Sequence, residues 1–484
     1  MSHKKEKKKL SIPGRILTVI MFLIVLVFDG LLIYSRMVPA QYLAVVVFLS
    51  LLLVLLIRSL AKRRHFGSAF FLSLLSGAVL CLCIAVLGQL TGTLSAITGV
   101  QTEVTNVCVY VLVEDNAETL NDLSESTFGI LAAQDRTATD EAVAQLNEEL
   151  DTEISTMEYS GLISLVDSLY AQESRAILMN SAYLDVLEEI EGYEDITDRI
   201  REITTVRAVE TVRVNTSDSA ASNTAFVVYI SGIDSRNGLV AKSRSDVNIL
   251  AVVNTQTHQV LLVSTPRDYY VELSISDGAK DKLTHAGIYG VGVSMDTLAM
   301  LYDVDVDYYF RVSFDGFEEI VDALGGVSVY SEYAFQSSFD SSLYFSQGYN
   351  DVNGEEALLF ARERYAFSTG DRQRGKNQME LIKAIINKAL SPEILRSYSS
   401  LLAAAEDNFE TSVPYDLIAS LVSDQLKSGS DWDIISYSVD GTGSTAVPWS
   451  MSASAYVMIP DESTVAEAKE LIQAVLNGEV ITQP

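Results

Sequence analysis

Three apolar runs near the amino terminus, from about Ile16 to Tyr34, Tyr42 to Ile57 and Phe70 to Leu90, constrain this chain more than anything that follows them. Each approaches the roughly 20 residues that cross a bilayer, the second being at the short end. Hydrocarbon offers no partner to a free backbone N–H or C=O, so these runs are predicted as membrane-spanning helices. Lys4, Lys5 and Lys7 to Lys9 precede the first run. Arg58, Lys62, Arg63 and Arg64 fill the second connection, against a single Arg36 in the first. Basic connections stay on the cytoplasmic side, so the expectation is a multi-pass protein of the cell membrane with its amino terminus in the cytoplasm and an extracellular ectodomain after Leu90. No small-residue cleavage site follows the first run and two more runs come after it, which argues against a cleaved signal peptide.

Charge narrows what the ectodomain can meet. The chain has 484 residues and a formal net charge of −30. Of its 34 basic and 64 acidic residues, eleven basic ones and only Glu6 and Asp29 lie in residues 1–65, so 23 basic and 62 acidic residues remain for the rest. A surface that acidic repels nucleic acid except at a local basic pocket, and no nucleic-acid partner is expected. Cys81 and Cys83 fall inside the third apolar run and Cys108 stands alone, while His3, His65, His258 and His285 are scattered. Neither a disulfide framework nor a cysteine or histidine metal centre can be built from them.

After residue 98 the pattern alternates between strands and helices, which predicts an α/β (α+β) fold with a mixed central sheet flanked by helices, preceded by a smaller α/β unit. In residues 99–215, Val104–Val113 reads as a strand, and 139–149, 163–171 and 177–190 read as helices. That unit has no clustered basic, histidine or glycine-rich phosphate signature, so packing or partner contact is its expected role. Asn215–Thr224 has the small polar composition of a linker. In residues 216–481, strands are expected at 225–230, 244–254, 258–264, 308–312, 326–330, 358–364 and 431–439. Helices are expected after His285, over 314–324, from Asp371, over 394–405 and over 465–476, with a turn at 441–443. Alternation along 244–254 would place Arg244, Asp246 and Asn248 on one face.

The stretch LLFARERYAFSTGDRQRGKNQMELIKAIINKAL at 358–390 is where chemistry concentrates. On a strand, Arg362 and Arg364 would share a face with Phe360. On the following helix Asp371, Arg374 and Gln378 stack along the side that continues into Leu381 and Ile385, the core-facing stripe. Inward guanidiniums need dense negative charge, and their planar forks suit phosphate oxygens; structural pairing with Asp and Glu is the alternative. Asp234 at one strand end and Asp246 at the start of the next could converge on a cation, for which hard oxygen ligands favour Mg²⁺ or Mn²⁺. Arg244, Arg267, Arg362, Arg364, Arg374 and Gln378 around a diphosphate would supply what phosphoryl transfer requires. Asp371 serves either as a base or to orient Arg374. No Walker-A sequence, kinase glycine loop or G-x-S-x-G elbow is present, so nucleotide-driven and serine-nucleophile mechanisms lack support.

The ordered blocks GIDSR (232–236), RSDVNILAVVN (244–254), STPRD (264–268), KLTHAGIYG (282–290), FDGFEEIVDALGGV (314–327) and ARERYAFSTGDRQRGKNQ (361–378) resemble the LytR-CpsA-Psr family. The three spans and the extra unit are similar to its capsule-associated CpsA members. The resemblance implies a membrane anchor over 1–98, an accessory domain over 99–215 and a catalytic domain over 216–481. It implies a phosphotransferase that moves capsular polysaccharide, or a similar glycopolymer, from a polyprenyl-diphosphate lipid to cell-wall peptidoglycan, with an apolar tunnel for the prenyl chain. By the same resemblance Asp234 and Asp246 hold Mg²⁺, the five arginines and Gln378 bind the diphosphate, and Asp234, Arg267 and Asp371 take part in catalysis. Two other uses of the pocket stay open: a phosphohydrolase with water as acceptor, and a regulator that senses the lipid-linked precursor and signals to capsule-assembly proteins.

Overall fold

The protein, seen in a computed structural model, is described over residues 11–62, 65–98, 102–211, 224–233, 241–368, 370–391, 404 and 409–482. It divides into two units, Met1–Thr98 with Val413–Asp431, and Gly99–Ser412 with Trp432–Pro484. In the first, α1 (Ile12–Ser35), α2 (Ala40–Lys62) and α3 (Phe66–Ile97) are each long and apolar enough to cross a membrane. Ser11 caps α1 by accepting from the Gly14 N–H at 3.2 Å, and Arg36 ends it in the left-handed region. Ser50 of α2 donates to the buried Asp29 carboxylate of α1 at 2.8 Å, a cross-helix bond where no water competes. A further helix, Tyr415–Ser428, belongs to this unit. The Tyr415 hydroxyl donates to the Ser35 carbonyl at 3.0 Å, and Arg36 meets Asp416 at 2.8 Å.

The second unit opens with β1 (Thr102–Leu112), β2 (Thr127–Leu131), β3 (Ser155–Tyr159), β4 (Ala176–Asn180) and β5 (Ile200–Thr211), arranged β3-β2-β4-β1-β5. Helix α4 (Arg136–Leu150) packs Ala138, Ala142 and Leu146 against one face; α5 (Leu162–Tyr170) packs Leu165, Val166 and Leu169 against the other. The helix expected over 177–190 is therefore corrected. Its first residues are β4, followed by a tight turn at Ser181–Tyr183 and one helical turn at Leu184–Leu187. Every residue of β4 is buried between β2 and β1, and a strand apolar on both faces has no alternation to separate it from a buried helix.

Next come β6 (Ala225–Ile233), β7 (Ser245–Asn254), β8 (Gln259–Ser264), β9 (Tyr308–Ser313), β10 (Val327–Ser331), β11 (Gly348–Val352), β12 (Phe409–Thr411) and β13 (Asp433–Ser438). Six of them form a mixed sheet in the order β12-β9-β6-β7-β8-β13, while β10 and β11 pair apart as an antiparallel ribbon. Helices α6 (Val291–Tyr302), α7 (Phe314–Ala323), α8 (Gly354–Arg362), α9 (Asp371–Leu390) and α10 (Glu462–Leu476) complete the fold. On one sheet face Val227, Tyr229, Leu250 and Val252 pack with Met295 and Leu298 of α6 and with Val465 and Ile472 of α10. A separate core of Ile320, Val321, Val329, Phe360 and Leu381 joins α7, α8, α9 and the ribbon. The architecture is the expected α/β one, with three long apolar helices and a smaller sheet ahead of the mixed sheet. The turn expected at 441–443 instead begins a strand, Gly441–Ala446, paired with Ala455–Pro460. The expected linker 215–224 lies outside the described residues except Thr224, and the expected helix 394–405 does so except Ala404.

The two sheets are joined by charge. Glu103 of β1 forms a buried ion pair with Arg311 of β9 and accepts from the Val291 N–H at the start of α6 at 3.0 and 3.2 Å. Arg311 also meets Glu410 of β12.

Candidate active site

Three local devices bring the polar side chains together. The first is a β-bulge. Ser245 faces Ile233 and Val247 faces Gly232, so Asp246 is the extra residue on β7 opposite that step. Freed from strict alternation, Asp246 turns into a cavity beside Val247. Asn248 does not follow it: its side-chain Oδ1 accepts from the buried Tyr229 hydroxyl at 2.7 Å, so the expected common face of Arg244, Asp246 and Asn248 is corrected.

The second is the end of α8. Residues 358–364 are not a strand; α8 runs to Arg362. It starts in a capping box, with Asn353 accepting from the Glu356 N–H at 2.9 Å and Glu356 accepting from the Asn353 N–H at 3.0 Å. Good helix formers follow, and a run of about seven residues is too short for periodicity to decide. Phe360 consequently enters the core, while Arg362, in the last turn of the helix, and Arg364, in the turn after it, line the cavity. Glu363 holds that turn. Its buried carboxylate accepts from the N–H groups of Ser338 (2.7 Å), Tyr365 (2.9 Å) and Ala366 (3.0 Å). Burial pushes Glu363 up, yet these bonds outweigh it and hold the group below the usual carboxylate range. The sequence reading missed Glu363, although an acid between two arginines was its one visible signal.

The third is the approach of α9 to β8. A Cβ on Gly375 would lie 2.8 Å from the Ser264 hydroxyl, so glycine permits the contact that sets Arg374 and Gln378 over the strand end.

The result is a cavity of about 520 Å³ lined by Arg244, Asp246, Arg267, Arg362, Arg364, Arg374 and Gln378 together with an apolar wall that includes Ile230, Phe310, Phe314, Phe317, Leu381 and Ile385. A small adjoining recess adds Asp371 to Asp246, Arg267, Arg374 and Gln378. All of the expected site residues except Asp234 thus meet in one place, and Asp234 lies outside the described residues. Arg267 donates to Asp246 at 2.9 Å, and Thr284 donates to the same oxygen at 3.4 Å. Burial pushes Asp246 up, but Arg267, Arg244 and Arg374 outweigh it and hold the carboxyl below its ordinary range. Asp371 pairs with Arg374, yet burial leaves its carboxyl raised. Arg374 is itself pushed down by burial. Arg362 lies over the rings of Phe314 (5.2 Å) and Phe339 (5.3 Å), and Arg364 over Tyr365 (4.6 Å).

The smaller sheet unit reaches this site, which its lack of a phosphate signature did not foretell. Glu189 meets Arg244 at 2.5 Å through one oxygen and Lys282 at 2.6 Å through the other, and Asp185 lies 3.5 Å from Arg244. Lys282 continues to Asp268 at 3.6 Å, and Asp268 to Arg267 at 3.7 Å. His285 is fully buried, bonded through Nδ1 to Asp281 (2.7 Å) and Ser450 (2.9 Å), as a structural histidine.

The arrangement can hold a group with several negative oxygens and an attached apolar chain. Among the described residues no three Asp, Glu, His or Cys side chains converge as a metal site. Asp246, ionised and offering hard oxygens beside a hydroxyl, suits a divalent cation that takes one or two carboxylates plus phosphate oxygens.

The chain is similar to several known proteins. Over 219 residues the chain is 34% identical to the polyisoprenyl-teichoic acid–peptidoglycan teichoic acid transferase TagU of Bacillus subtilis, covering 45% of this chain and 69% of that one. The protein of the same name from Enterococcus faecalis is 35% identical over 194 residues, 40% of this chain and 62% of its own length. The crystal structure of B. subtilis TagU covers 53% of this chain and 99% of its own at 28% identity, with a TM-score of 0.42. The model of the LytR_cpsA_psr family matches residues 189–473, more than half of the chain, which therefore belongs to that family.

Proposed function

We propose that this protein is a membrane-anchored phosphotransferase that moves a glycopolymer, capsular polysaccharide in our reading, from a polyprenyl-diphosphate carrier to peptidoglycan. One observation carries the reading: a single cavity joins five arginines to an apolar wall, the two chemistries of a diphosphate attached to a prenyl chain. Relatives named as teichoic acid transferases, 34–35% identical, support the reaction class. In this reading Arg362 and Arg364 grip the diphosphate oxygens, Arg267 and Arg374 offset the charge that builds on them, Asp371 orients Arg374, and the apolar wall takes the prenyl chain. A sugar hydroxyl of peptidoglycan attacks the phosphorus nearer the glycan, the bridging P–O bond breaks, and polyprenyl phosphate departs. Asp246, with Asp234, would hold Mg²⁺, or Mn²⁺ in its place, which supplies charge neutralisation at the diphosphate when bound. The amino terminus would be cytoplasmic and the larger unit outside the cell.

The test is the full chain in vesicles with a polyprenyl-diphosphate glycan and a peptidoglycan oligomer, with and without Mg²⁺. A Mg²⁺-dependent glycan–peptidoglycan adduct, lost in Asp246→Ala, is the expected result. Release of polyprenyl phosphate without an adduct would replace the transferase by a hydrolase. Tight lipid retention with neither product would replace it by a precursor sensor.

A further inference from the structure

The helix Tyr415–Ser428 is grouped with the three long apolar helices, and its contacts put one end of it at a defined level. Ser35 is the last residue of α1 and Arg36 its cap; they take the Tyr415 hydroxyl at 3.0 Å and the Asp416 carboxylate at 2.8 Å. The end of α1 and the start of α2 lie on the same side of the apolar helices, because only four residues join them. That side also exposes Tyr34 (66%) and Tyr42 (47%), the aromatic type that sits at the boundary between headgroups and hydrocarbon. The first turn of the Tyr415–Ser428 helix is thus pinned where a bilayer surface would lie.

The helix is two-faced. At 100° per residue, Tyr415, Ile418, Val422 and Leu426 fall within one arc, and Asp416, Ser420, Asp424 and Lys427 fall on the opposite one. Leu417 and Ala419 are buried, but Val422 (39%) and Leu426 (57%) are exposed toward the end farther from the pin. With Asp416, Asp424 and Lys427 as its charges, the helix has no cationic face to draw it to anionic lipid.

We propose that Tyr415–Ser428 is an interfacial helix, lying along the membrane surface at the face where α1 ends, with Ile418, Val422 and Leu426 in the headgroup–acyl boundary. Apolar burial and the tether to Ser35 and Arg36 hold it there, so its placement is independent of anionic lipid. The inference rests on the apolar helices and this face alone, and stands whether or not the chain is a transferase.

The experiment uses the full chain in lipid nanodiscs with Cys81→Ala, Cys83→Ala and Cys108→Ser, and a nitroxide placed singly through Val422→Cys, Leu426→Cys, Ser420→Cys or Asp424→Cys. Collisions with oxygen, which concentrates in lipid, and with a water-soluble nickel chelate are compared by power saturation. The expected result is an oxygen-to-nickel ratio several-fold higher at 422 and 426 than at 420 and 424, unchanged between zwitterionic and anionic discs. Nickel access at 422 and 426 equal to that at 420 and 424 would overturn the proposal, because the apolar face would then meet water. Shielding of 422 and 426 from both reagents would also overturn it, by showing that protein covers the face.

Discussion

The arginines of the cavity differ in what already neutralises them. Arg244, Arg267 and Arg374 have carboxylate partners in Glu189, Asp246 and Asp371. Among the described residues Arg362 and Arg364 have none and rest on aromatic rings instead. In the proposed function, an incoming diphosphate would meet those two without first displacing a carboxylate. Arg364→Ala is therefore expected to lower transfer about 10²–10³-fold, the usual cost of one preorganised charge donor, with the melting temperature nearly unchanged. Arg267→Ala should lower both, because it strips Asp246 of its nearest cation in a buried setting. A transfer assay beside thermal unfolding separates the two outcomes. Glu410 makes a different prediction. Burial, opposed by Arg311 and reinforced by Glu103, pushes it up to about 7. A carboxyl raised on folding contributes stability below its unfolded pKa and loses it as pH rises through the folded one. Stability should thus fall by about 2–3 kcal/mol from this group between roughly pH 5 and 8. Glu410→Gln should flatten that slope in denaturant unfolding measured across the window.

Elements aim these residues through small backbone features. Gly375 lets α9 touch Ser264 at the end of β8, and Gly232 lets β6 accept Val247, whose Cγ2 would be 2.7 Å from a Cβ there. Gly375→Val should push α9 outward and carry Arg374 and Gln378 with it. Transfer is expected to drop at least about tenfold, since misplacements near 1 Å cost that much or more. Binding of a prenyl-phosphate analogue, followed by titration calorimetry, should weaken in parallel. At α8 the capping box decides where the helix starts and hence where Arg362 ends. Asn353→Ala should cost about 1 kcal/mol in unfolding free energy. The strand expected over 358–364 failed because a strand and a short helix both bury Phe360; the cap at Asn353, upstream of the window, is what chose.

At the scale of the molecule, the smaller sheet is an electrostatic partner of the larger one. Glu103 lies within reach of Arg311 and of the first turn of α6, and Glu189 bridges Arg244 and Lys282. Glu103→Gln leaves Arg311 buried with Glu410 alone. It should destabilise the chain by about 3–5 kcal/mol, the cost of breaking a buried pair from one side, and a double-mutant cycle with Arg311→Met should recover part of that loss. If the two sheets unfolded independently, the cycle would show no coupling.

What could be read from the residue order were the features written in local periodicity and composition: three membrane-length apolar runs, the α/β alternation, the helix from Asp371, and the crowding of arginine after Leu358. Tertiary structure alone decided how they meet. Asp246 enters the cavity because a bulge breaks the alternation of β7, which no two-residue pattern announces. β4 is a strand because β1 and β2 bury both of its faces. Glu189, which pairs with Arg244, and Glu103, which pairs with Arg311, lie 55 and 208 residues away from them along the chain. Such pairs are set by packing across the fold, where burial makes an unpartnered charge costly, and no sequence window spans them.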